Sequence, residues 1–137
     1  APEILFKHQF QNTAVDIWSA GVIFLSILSG CYPFFKSSTD MGHLVQITTL
    51  LGSFSLRNAA KALDTRFTSN PDFAPNNLEF LCVDLRKHKC SGTCDLCIPP
   101  LAYRLLERCL DPNPKTRITA DEALQMPYFK MNSSHKN

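Results

Sequence analysis

A mainly helical fold is predicted by three observations. Residues 15–29 contain no proline and carry apolar side chains on nearly every face, and residues 40–51 place apolar side chains at three- and four-residue steps. No run of alternating apolar and polar residues argues for a strand.

The chain opens on Ala1-Pro2-Glu3-Ile4-Leu5 and stays largely polar up to Thr13. Thr13 and Asp16 have the spacing of a helix N-cap with an acidic third position, so a helix is expected to begin there. Its apolar residues, among them Ile17, Val22, Ile23, Phe24, Leu25, Ile27 and Leu28, populate every face rather than one stripe. A helix of that kind is expected to be buried all round, in part beneath elements that this stretch of sequence does not supply. Gly30 can take the left-handed conformation that closes a helix, and Pro33 blocks its continuation, which puts the end near Ser29.

In residues 40–51, Met41, Leu44, Val45, Thr48 and Leu51 define one amphipathic face, and Gly52 follows. The opposite face is left for solvent or a partner. Residues 53–99 are polar, with Pro71, Pro75, the pair Asn76-Asn77 and three closely spaced cysteines, and they show no sustained period. They read as an irregular, cysteine-bearing insert. Regularity returns at Leu101, Leu105, Cys109 and Leu110, a short helix ended by the turn Asp111-Pro112-Asn113-Pro114. A capping box at Thr119 and Glu122 starts another helix, with Ala123, Leu124 and Met126 continuing to Pro127. Residues 132–137 form a polar tail.

The composition is that of an ordinary soluble domain: 45% hydrophobic and 19% charged over 137 residues. The longest apolar stretch, residues 20–28, is too short for a bilayer, which requires roughly 20 apolar residues, so no membrane span is expected. A net charge of +2 without a Lys/Arg block gives no phosphate-tracking stripe, and direct nucleic-acid binding is not indicated. Ala1 is not an initiator methionine and no secretory leader opens the sequence, so the start reads as a cut and the six cysteines read as thiols or metal ligands in a reducing compartment.

Four motifs stand in order: Ala1-Pro2-Glu3, Asp16-Ile17-Trp18-Ser19-Ala20-Gly21, Gly30-Cys31-Tyr32-Pro33-Phe34, and residues 111–117. In order and spacing they resemble the back half of the large lobe of a eukaryotic protein kinase. The closing pattern Pro114-Lys115-Thr116-Arg117-Ile118-Thr119-Ala120, with Pro127-Tyr128-Phe129, is similar to serine/threonine rather than tyrosine kinases. Residues 16–30, Gln46-Ile47-Thr48-Thr49-Leu50-Leu51-Gly52-Ser53 and the cysteine-bearing insert resemble the cell-division-cycle-seven kinases that trigger DNA replication origins. The resemblance implies a partial kinase domain over residues 1–131 containing the insert 53–99, within an intracellular, nuclear enzyme. That enzyme would move the ATP γ-phosphate, with Mg²⁺, onto Ser or Thr of protein substrates, and it would take an activating regulatory subunit.

The same resemblance assigns roles to three residues. The glutamate matching Glu3 pairs with the arginine matching Arg117, and the carboxylate matching Asp16 accepts backbone hydrogen bonds from the catalytic loop. The glycine-rich loop, the phosphate-holding lysine and the catalytic and magnesium-binding aspartates precede Ala-Pro-Glu in kinases, so no catalytic residue is expected within this stretch, which alone should be inactive. A pseudokinase, or a zinc-stabilised interaction module, is the alternative. Cys90, Cys94 and Cys97 lie within eight residues of one another, and Cys94 and Cys97 are separated by the two-residue gap that lets two thiolates grip one Zn²⁺. Gly92 eases the turn. Cys82 would complete an all-thiolate set, and His88 is the alternative fourth ligand.

Overall fold

The computed structural model describes residues 1–9, 12–89 and 98–130. These form eight helices: α1 (Pro2–Leu5), α2 (Ala14–Ser29), α3 (Asp40–Leu51), α4 (Ser53–Ala62), α5 (Leu78–Lys89), α6 (Pro100–Cys109), α7 (Ala120–Leu124) and α8 (Pro127–Lys130). No strand occurs among the described residues, as the absence of alternating apolar patterns predicts.

The central element is α2, which packs against α5 and α6. Its approach to α6 depends on Gly21. A Cβ added there would lie 2.9 Å from Cβ of Cys109 and 3.0 Å from Cδ2 of Leu110, so only a residue without a side chain lets the two helices come this close. Leu25 and Leu28 on α2 join Ile47 and Leu50 of α3, Leu56 of α4, Leu78 and Cys82 of α5 and Leu106 of α6 in one core, built from five different helices. At the far end Gly30 takes φ 67° and closes the helix, as its position before Pro33 predicts.

One expectation for α2 needs correction. Thr13 is helical in conformation and its side chain caps nothing. Asn12 does that work, its Oδ1 accepting from the Ala14 N–H at 3.0 Å. On the side of the helix away from α5 and α6, Ile23 and Ile27 are 61% and 68% exposed, compatible with a helix expected to be covered in part by other elements. In α3 the Thr39 hydroxyl accepts from the Gly42 N–H, while Ile47, Thr48 and Leu50 face inward. Met41 and Val45, expected on the apolar face, are exposed.

The stretch 53–99 is more regular than its composition suggests. Both α4 and α5 fall within it, so the expectation of little regular structure is overturned for the residues described there. In α4 the buried side is Leu56, Ala59 and Ala60, with Leu63 just beyond it, a helical spacing whose alanines carry a weak apolar signal. In α5 it is Leu78 and Cys82, supported by partly buried Leu81. The connection between the two helices is fastened to its neighbours: the Asn76 amide donates to the Thr49 carbonyl at 2.7 Å, and the Phe73 N–H donates to the Ser53 hydroxyl at 2.9 Å. Gly52, at φ 85°, would bring a Cβ within 2.8 Å of the Pro75 nitrogen.

The capping box of α7 is formed as read from sequence, with the Glu122 carboxylate accepting from the Thr119 N–H at 2.8 Å and the Thr119 hydroxyl accepting from the Glu122 N–H at 3.3 Å. α7 ends at Leu124 and α8 starts afresh at Pro127. The tail 132–137 lies outside the described residues.

Candidate functional site

Pro2 at the head of α1 presets the backbone for a helical turn and carries Glu3 inward. Arg117 arrives from the loop that follows the turn at Asp111-Pro112-Asn113-Pro114. The two side chains meet with almost no exposure, 1% for Glu3 and 4% for Arg117. Arg117 Nη1 lies 2.7 Å from Oε1 of Glu3, and Nη2 lies 2.9 Å from Oε2, a bidentate fork.

The remaining donors of the guanidinium are also placed. Nε donates to the Asp111 carbonyl at 2.8 Å, Nη1 to the Ala14 carbonyl at 2.7 Å, and Nη2 to the Pro112 carbonyl at 3.5 Å. The Trp18 ring faces the guanidinium, with its centroid 5.1 Å from Cζ. Arg117 therefore joins α1, the first turn of α2 and the loop before α7 at one point. Burial pushes the Glu3 carboxyl up, but the hydrogen bonds and charge of Arg117 outweigh it and hold the group below its ordinary value. Among the described residues no buried side-chain polar atom lacks a hydrogen-bond partner, so this charge pair is fully satisfied.

Asp16 stands apart from the pair. It is exposed in the first turn of α2, where an anion suits the positive end of the helix dipole. It borders a depression of about 300 Å³ that Arg117 and Thr119 also line. Trp18 was legible in sequence as core, and the core reading misses its stacking on Arg117, which nothing in the spacing signals.

Of the metal candidates, Cys90, Cys94 and Cys97 lie outside the described residues. Cys82 is fully buried on α5, and burial pushes its thiol up to about 11. His88 is exposed in the last turn of α5, its Nε2 3.6 Å from an Asp84 carboxylate oxygen. Among the described residues no three His, Cys, Asp or Glu side chains gather into a metal-holding group.

A second feature went unread in the sequence. Ile4 and Leu5 of α1, Trp18, Val22, Ile23 and Ile27 of α2, Tyr32–Phe35 of the following loop and His43 and Ile47 of α3 line an apolar groove of about 570 Å³. Among the described residues no carboxylate lines it.

Comparison with known proteins agrees with this geometry. The family described as Protein kinase domain matches residues 1–129. The chain is 38% identical to the non-specific serine/threonine protein kinase Cdc7 of Drosophila melanogaster, covering 93% of this chain and 24% of that protein. It is 43% identical to the probable serine/threonine-protein kinase cdc7 of Dictyostelium discoideum (96% and 12%), and 34% identical to the human cell division cycle 7-related protein kinase (95% and 33%). The chain thus spans between an eighth and a third of the length of these three relatives. No helix among the described residues is long and apolar enough to cross a membrane. From its matched length and these relatives, the chain belongs to the protein kinase domain family and within it resembles the Cdc7 serine/threonine kinases.

Proposed function

We propose that the intact protein transfers the γ-phosphate of ATP to Ser or Thr hydroxyls of protein substrates in the control of DNA replication and cell division, acting in the nucleus. This chain is the helical base of its large lobe, a scaffold and docking surface rather than the catalytic centre. The observation that carries the reading is the buried, fully hydrogen-bonded Glu3–Arg117 pair inside a kinase-family match that covers nearly the whole chain. ATP and Mg²⁺ fall to the glycine-rich loop, lysine and aspartates that precede the Ala-Pro-Glu motif in kinases. The contribution of this chain is positional: Arg117 fixes the end of the activation segment to α2, Asp16 offers an anion to the catalytic loop, and the groove beside α2 seats the rest of the lobe with its rim turned to the protein substrate. Incubating the full-length protein with ATP and replication-complex proteins should yield phosphoserine or phosphothreonine. No transfer by a folded, nucleotide-binding protein would replace the enzyme with a pseudokinase.

Two finer readings go with it. The stretch 53–99 and the exposed Met41 and Val45 of α3 would help to bind an activating regulatory subunit, and deleting residues 54–76 without loss of affinity for any such subunit would remove the idea. Cys90, Cys94 and Cys97 would hold one structural Zn²⁺ with Cys82 or His88 as fourth ligand. The exposure of His88 near the cysteine segment supports it over Cys82, which lies in the core. Elemental analysis of the intact protein should find about one zinc per chain, lost on changing Cys94 and Cys97 to serine; a zinc-free wild type would defeat it.

A further inference from the structure

Two thiols that take no part in the Glu3–Arg117 pair lie at one junction, where the end of α2 meets α5. Cys82 is fully buried in the core, and Cys31 is half-buried in the loop that leaves α2. Both are free thiols.

Their placement follows from the contacts around them. On α5, residues 82, 86 and 89 recur at steps of four and three, so they share one helix face. That face is turned to the end of α2. Cys82 packs in the cluster that holds Leu25 and Leu28, Arg86 Nη1 donates to the Leu28 carbonyl, and Lys89 Nζ donates to the Gly30 carbonyl at 3.0 Å. A Cβ added at Gly30 would lie 3.8 Å from Cγ of Arg86. Cys31 is the next residue, and its N–H is turned back onto the helix end, donating to the Ser29 hydroxyl at 3.2 Å. The two thiols are near enough to interact: burial pushes the Cys82 thiol up to about 11, while Arg86 acts to lower it and Cys31 to raise it. They differ in what can reach them, because a dissolved oxidant meets Cys31 first. Cys31 also lies outside any helix, so the loop and not the core can move to bring the two Cα atoms within the roughly 7 Å that a disulfide spans.

We propose that Cys31 and Cys82 are a redox-responsive pair: a peroxide oxidises Cys31, and Cys82 converts the product to a disulfide that staples the loop after α2 to α5. In the first step the Cys31 thiolate attacks hydrogen peroxide. An S–O bond forms, the O–O bond breaks and hydroxide leaves, giving a sulfenic acid. In the second, the Cys82 thiol gives up its proton and its sulfur attacks that of Cys31; the S–S bond forms, the S–O bond breaks and a second hydroxide leaves. Two thiols and one peroxide become one disulfide and two waters, with two electrons passed to the oxidant. In a reducing compartment such a bond is transient, and thiol reductants reopen it.

Treating the intact protein with hydrogen peroxide, alkylating the remaining thiols and mapping the peptides by mass spectrometry tests this. The Cys31 and Cys82 peptides should be recovered as one linked species that dithiothreitol releases. Closing the bond should raise the thermal midpoint by roughly 4–16 °C, and reduction should reverse the rise. Cys31→Ser should remove the linkage and the rise together, and its loop position keeps the idea testable if a change at the buried Cys82 does not fold. In Cys82→Ala the sulfenic acid of Cys31 should persist and be trapped by dimedone. Cys31 linked instead to Cys90, Cys94 or Cys97, or carried to the sulfinic acid while Cys82 stays reduced, would overturn the proposal. So would both thiols remaining reduced under peroxide that oxidises the other cysteines, or a linked pair that leaves the midpoint where it was.

Discussion

Removing either member of the Glu3–Arg117 pair should cost unequal amounts, and the inequality follows from the hydrogen bonds. Arg117→Ala strands a carboxylate that is 1% exposed and takes the donors away from three carbonyls, those of Ala14, Asp111 and Pro112. Breaking a buried pair in this way costs about 3–5 kcal/mol. Glu3→Ala strands the guanidinium, but that group keeps the three carbonyls and the face of Trp18, so its cost should sit at or below the lower end of that range. The double variant should be milder than the sum, by up to about 3 kcal/mol of coupling. For a lobe of 150–250 residues, 3–5 kcal/mol corresponds to a fall in thermal midpoint of roughly 6–20 °C. The pH dependence gives an independent check. The folded-state pKa of Glu3 lies below its ordinary 4.5, so the pair's contribution is fully present above that value and is lost as the pH falls through the folded pKa. Thermal unfolding of the intact kinase should show an acid-side loss below about pH 4.5 that Glu3→Gln reduces, with the remainder coming from other carboxyls held low, such as Asp72 and Glu122. Additive single-site effects, or an acid limb unchanged in Glu3→Gln, would refute the argument.

Gly21→Ala should lower the thermal midpoint despite alanine's better helix propensity, because its methyl would meet Cβ of Cys109, which cannot move unless α6 does; overpacking of this kind costs about 1–3 kcal/mol, and an unchanged midpoint would show that the helices can part freely. Trp18→Leu should weaken the lobe by about 0.5–2 kcal/mol beyond its lost packing, a difference visible as reduced cost when Arg117 is already alanine. The chain prepared alone should bind a hydrophobic dye through the groove at Ile23 and Ile27 and show no ATP-dependent phosphorylation; charge placed at both isoleucines should cut the dye signal, and dye binding that survives it would locate the apolar surface elsewhere.

What the sequence displays most clearly is what is settled within a few residues. The Thr119 and Glu122 capping box and the Gly30 stop are local, and both are found where the spacing puts them. At the start of α2 two cap-competent residues stand side by side, and the choice of Asn12 over Thr13 depends on a backbone conformation that no spacing reveals. α4 and α5 escaped because alanines and a cysteine build much of their buried faces, so the apolar period is faint. Ile23 and Ile27 look the same in sequence whether covered or bare. The meeting of Glu3 with Arg117 could be expected only from family resemblance, since a separation of 114 positions carries no physical signal of contact.

That separation has a consequence of its own. The pair closes nearly the whole chain into a single ring, and the entropy of closing a ring grows only with the logarithm of its length. The alignments with the Dictyostelium and human relatives extend over 132 and 190 positions. The closure entropies of flexible rings of those two lengths differ by only about 0.3 kcal/mol. A stretch of chain between the two ends can therefore lengthen or shorten over evolution at almost no cost to the clasp. The ends of the ring are held by a bidentate pair that is costly to break, and its circumference is left free to vary.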